Sequence, residues 1–186
     1  MITKQKLEIF SAIYTQYQVA DFSLDILQGL SLLDLLALSM YEADKQLAFR
    51  SAWMFETIVL KDKTLLDKRN CQMLIKNLTD LSNWSCARSY SKVLMYITSP
   101  KVDHIRLSDE EYDCIIDVSF KWLTDPSCPV AVAANCMDIL DQMSGKYAWV
   151  KEELYAQVEY LLRINPTPAI KSRSLKVLKK TSNSLN

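Results

Sequence analysis

One apolar stripe recurs four times along this chain, and no other feature so narrows what it can fold into. Its clearest copy lies between Asp125 and Met143, where Ala133, Cys136, Leu140 and Met143 follow at helical spacing. Pro126 and Pro129 fix the entry of the backbone, and the small residues after them admit a neighbouring backbone at close range. The same offsets return in Ala48, Ser51, Phe55 and Ile58, then in Ala87, Tyr90, Leu94 and Ile97, and finally in Lys171, Ser174, Leu178 and Thr181. The anchors Phe55, Leu94, Leu140 and Leu178 stand 39, 46 and 38 residues apart. Self-similarity at about 40–47 residues is the period of paired-helix solenoids. Each striped helix follows another apolar segment of helical period. One such pair cannot bury its own stripe, so stacking must supply the core.

Composition agrees with helices throughout. Two glycines, Gly29 and Gly145, leave little for β-turns in 186 residues, and apolar residues make up 49%. The expected architecture is all-α: an α-α superhelix of about four helix pairs behind an N-terminal cap. A single repeat domain over 1–186 would hold cap helices in 1–29 and repeat pairs in 30–60, 64–98, 108–143 and 147–180.

Local signals place the elements. Leu7, Phe10, Ile13, Tyr14 and Tyr17 share one face of the first helix. Leu24 to Met40 reads as a leucine-rich helix jointed at Gly29, and Thr64 to Leu78 as another helix. Ser82-Asn83 offers a cap for Trp84 onward, and Pro100 stops that helix. Lys101 to Leu107 is the longest loop. Ser108-Asp109-Glu110-Glu111 has the pattern of a capping box. Gly145 sits at a C-cap position, and Asn165-Pro166-Thr167-Pro168 is a stiff turn. Thr181 to Asn186 reads as a frayed polar tail.

Asp125-Pro126 followed by Val132-Ala133-Ala134 resembles the Asp-Pro turn and second-helix start of HEAT-like, armadillo-type repeat proteins. Phe49-Arg50-Ser51-Ala52 and Ala87-Arg88-Ser89 resemble that family's Val-Arg-x-x-Ala entry. The likeness covers about residues 30 to 180 and implies a right-handed solenoid that binds rather than catalyses. Lys171 replaces the small residue of the pattern, and the arginine is missing at Ala133–Ala134. The fourth pair therefore reads as a capping repeat with a wetter face.

Chemistry is hard to assemble from these residues. Two isolated glycines cannot form a phosphate-cradling loop. The one histidine, His104, lies in the long loop, where a solvated side chain is the plainer reading. The five cysteines, Cys71, Cys86, Cys114, Cys128 and Cys136, lack short paired spacing and read as small hydrophobes of a reduced protein. The Gly/Ser-rich signature loop of the all-α fumarase and adenylosuccinate lyase group is missing too. No catalytic constellation, metal site or cofactor is expected. Asp109, Glu110, Glu111, Asp113 and Asp117 read as helix capping with a solvated face, or else as a site for a metal or basic partner. No signal peptide and no membrane span is read, which points to a cytoplasmic chain.

Binding is then the question. In a paired-helix solenoid the second helices line the concave face. At 100° per residue, the positions opposite their stripes are Arg50, Trp53 and Thr57, then Ser89, Lys92 and Tyr96, then Asn135, Asp138 and Gln142, and lastly Arg173, Lys176 and Lys180. Trp53 and Tyr96 beside Arg50 and Lys92 have the composition of a hot spot for a protein or peptide partner. Packing of Trp53 on the N-terminal helices, and of Tyr96 on its neighbour, is the alternative. The expected function is a non-enzymatic protein–protein interaction or scaffold module. The second expectation is nucleic-acid binding or base repair. Leu81-Ser82-Asn83-Trp84 and Trp53 are faintly similar to features of helical-repeat alkylation-repair glycosylases. Lys+Arg and Asp+Glu both number 22, and this balance makes nucleic acid the less favoured partner.

Overall fold

The computed structural model describes residues 2–182, with side chains through Lys179. The tail at 183–186 and the side chain of Thr181, the last member of the fourth stripe, lie outside the described residues, as does that of Lys180. Among the described residues all regular structure is helical and no strand occurs. The α-helices are α1 (Lys4–Gln16), α2 (Leu32–Leu38), α3 (Lys45–Lys61), α4 (Lys68–Leu78), α5 (Trp84–Ile97), α6 (Asp109–Thr124), α7 (Val130–Met143), α8 (Ala148–Ile164) and α9 (Pro168–Ser182). Short 3-10 turns occupy Val19–Asp21, Leu24–Leu27 and Lys63–Leu65. No helix among the described residues is long and apolar enough to cross a membrane.

The chain forms two compact units. One comprises Met1–Val93 with Ile105–Leu107, the other Leu94–His104 with Ser108–Asn186. The core of the first is built from Phe10 and Ile13 of α1, Leu35 and Leu36 of α2, Met54, Phe55 and Ile58 of α3, and Leu74 of α4, all buried. Complete burial of such a side chain contributes about 1.5–3 kcal/mol. Ser51 Oγ donates to the Leu35 carbonyl at 2.7 Å, tying α3 to α2. Lys61 Nζ donates to the Ala20 carbonyl at 2.8 Å and so ties the far end of α3 to the Val19–Asp21 turn. In the second unit, Ile115, Ile116 and Leu123 of α6, Cys136 and Leu140 of α7, and Val150, Leu154 and Val158 of α8 fill the core.

Every member of the first three stripes is buried, from Ala48 to Met143. The fourth departs as its sequence does: Lys171 is exposed, Ser174 is buried and Leu178 is half-buried. Three elements differ from their expected form. The segment from Leu24 to Met40 is not one jointed helix. Gln28 and Gly29 take φ of 50° and 88°, and two successive left-handed residues end the first turn. The chain restarts at Ser31, whose hydroxyl caps α2. The helix expected from Thr64 instead begins at Lys68, where Asp67 accepts the Asn70 N–H at 2.7 Å. Gly145 follows the C-cap Ser144 without entering the left-handed region.

Candidate functional site

The ladder residues divide between the two units. In the first, α3 carries Arg50, Trp53 and Thr57, and α5 carries Ser89 and Lys92. Asp44 sets the start of α3 by accepting the N–H groups of Gln46 and Leu47 at 3.0 and 2.9 Å. With the stripe turned to the core, the other flank meets the N-terminal elements. The Arg50 guanidinium lies 3.6 Å from the centre of the Tyr14 ring, a cation–π contact. Trp53 stacks on Phe49 at 5.8 Å and meets Phe22 edge-on at 6.1 Å. Trp53 thus packs on the N-terminal segment while staying half-buried. Thr57 donates to the Trp53 carbonyl at 2.8 Å within the helix.

Lys92 reaches across from α5. Its Nζ donates to Glu56 Oε1 at 2.6 Å, and the side chains are 40% and 8% exposed. Ser89, expected on a wet face, is 2% exposed, because that turn of α5 is already inside the unit. Beneath it lies a buried polar cluster: the Tyr90 hydroxyl bonds Ser39 Oγ at 2.6 Å and accepts from Asn77 Nδ2 at 3.0 Å. Burial pushes the Tyr90 phenol up to about 12. Beside the cluster opens a cavity of about 340 Å³ lined by Met40, Tyr41, Glu42, Lys45, Leu81 and Asn83.

In the second unit the arrangement repeats with different residues. Asp138 of α7 is 4% exposed, again not an open groove position. Lys176 Nζ of α9 donates to its Oδ1 at 2.7 Å. Arg173 Nε stands 3.0 Å from Oδ2, a charge contact without hydrogen-bond alignment. Arg173 and Lys176 keep 40% and 50% of their side chains in solvent. Gln142 Oε1 accepts from Thr98 Oγ1 at 2.7 Å, at the edge of a cavity of about 320 Å³ that Tyr112, Lys146 and Tyr147 also line. Tyr96 tilts toward the His104 ring at 6.3 Å, and Asn135 is half-buried.

Each unit therefore holds a nearly buried carboxylate beneath half-exposed cations. Taking a carboxylate out of water is costly unless a cation pairs with it. A lysine ammonium has three donors, and the acid below takes one of them. Glu56 lies 36 residues before Lys92, and Asp138 lies 38 before Lys176. Sequence reasoning passed over Glu56, although an acid about one repeat before a ladder lysine is a readable signal.

At the start of α6 the acidic groups serve the helix end and a nearby lysine. Glu111 and Ser108 close the expected capping box, with contacts of 2.7 and 3.3 Å. Asp109 accepts from Lys146 at 2.9 Å, and that bond holds its carboxyl below the ordinary range. Among the described residues, no group of three or more histidine, cysteine or acidic side chains is placed to hold a metal ion. Burial lifts the thiols of Cys86 and Cys128 to about 12, which leaves little thiolate near neutral pH. No family model, no curated protein and no solved structure matches this chain.

Proposed function

We propose that the chain is a non-enzymatic protein-interaction module of the HEAT-like kind, in which each unit presents half-exposed basic side chains to an acidic segment of a partner protein. The observation that carries this reading is the recurring rung: Glu56 under Lys92 and Asp138 under Lys176 and Arg173. Both rungs join second helices about one repeat apart, and in both the acid is the buried member. Thr98 to Gln142 is a third polar link of similar sequence separation. Half-exposed cations over a buried acid are already positioned, so a partner's carboxylate meets them with little loss of side-chain freedom.

The test neutralises whole rungs, so that no buried charge is left alone. One variant carries Glu56→Gln with Lys92→Gln, the other Asp138→Asn with Arg173→Gln and Lys176→Gln. Immobilised wild-type chain is used to capture proteins from native cell extract, with each variant alongside. Both variants should keep their helical circular dichroism and lose at least tenfold of the captured partner. Capture at unchanged strength by both overturns the reading. Salt-dependent binding of duplex DNA by the wild type, lost in the variants, would assign the same cations to nucleic acid instead.

A further inference from the structure

The outer side of α8 carries an apolar stripe that its own unit leaves uncovered. Trp149, Tyr160 and Ile164 are 51%, 50% and 57% exposed, and Ala156 between them is exposed as well. At 100° per residue, Trp149, Glu153, Ala156, Tyr160 and Ile164 fall within a sector of about 80°. Phe120 of α6 widens the stripe at one end, its ring tilted against Trp149 at 6.1 Å. At the other end, Tyr160 and Ile164 border a cavity of about 190 Å³ with Leu123 and Ile170. Large apolar groups gathered on one surface mark contact sites rather than ordinary surface.

We propose that this face pairs with the same face of a second copy of the chain, α8 running antiparallel to α8. Two features single out that occupant. The stripe has bulky groups at both ends and a small residue at its centre, so it complements its own reversal. With the two-fold axis between Ala156 and Gln157, Trp149 meets Ile164 of the second copy, and the two Ala156 positions allow close approach. The charges complement the same reversal. Glu152 and Arg163 are exposed on one flank of the stripe. A helix rises about 1.5 Å per residue, so Arg163 comes within about 3 Å along the axis of the second copy's Glu152, and the pair forms twice. One helix face of this length buries less than the ~800 Å² per partner of a standard interface, the size class of weak and transient contacts.

Sedimentation equilibrium of the full chain from about 1 to 200 µM tests this. The wild type should fit a monomer–dimer equilibrium. Tyr160→Glu places a carboxylate against Glu153 of the second copy and should raise the dissociation constant at least tenfold. Glu152→Arg alone and Arg163→Glu alone should each raise it about tenfold, and the two together should restore it. All three positions are exposed, and circular dichroism should show an unchanged fold. A wild type that is monomeric at 200 µM overturns the proposal. So does a dimer indifferent to Tyr160→Glu, or a double charge swap no tighter than the single ones.

Discussion

Tyr90 shows how far a single residue could be read in advance. Its place in a buried stripe follows from helical spacing, and it is fully buried. Its two hydroxyl partners do not follow, because Ser39 and Asn77 lie 51 and 13 residues away and meet it only through tertiary packing. Tyr90→Phe keeps the ring and removes the hydroxyl. Ser39 and Asn77 each retain a bond to the Leu36 carbonyl, so the loss should be about 1–2 kcal/mol in urea unfolding. Trp53 was legible in a different way. Its helix and face were readable, but the choice between groove and packing turned on Phe22, a residue in an irregular turn with no period to announce it.

Helices with strong caps were readable almost to the residue. The capping box at α6 is the best case, since Ser108 and Glu111 satisfy backbone groups that any helix start leaves open. Ser108→Ala should cost about 1 kcal/mol in the same urea measurement, and Ser108→Asp should recover most of it. The segment at 24–40 was the least readable. Leucine spacing there fits a helix, and nothing in the composition forces Gln28 into the left-handed region. That conformation depends on Ile26, Leu27 and Leu30 all turning into the core. Candidate site residues suffered from the same limit. Periodicity identified Ser89 and Asp138 as lying opposite a stripe, but it does not report that an adjacent helix covers that side too.

For the molecule as a whole, buried and half-buried acids with raised pKa values contribute to the response to alkali. Cys86 and Cys128 move from 9.0 to about 12, and Tyr90 from 10.0 to about 12, mainly through burial. In each case the folded chain holds a proton that the unfolded chain gives up earlier. The stabilising contribution is therefore fully present below pH 9 and is lost as pH rises toward 12. Urea midpoints should stay level from pH 7 to about 9 and fall steadily above it, with a shallower fall in Cys86→Ala. A midpoint that rises between pH 9 and 11 would contradict this burial pattern.

The two acid–base rungs do not carry equal insurance. Asp138 is gripped by a lysine and an arginine, whereas Glu56 relies on Lys92. Acetylating Lys176 would leave an arginine still in place over the aspartate. Acetylating Lys92 would strand a glutamate inside the protein and send that loss straight into the packing of α3 on α5. One enzymatic mark of the same chemical kind would therefore be tolerated on one helix pair and would loosen the other.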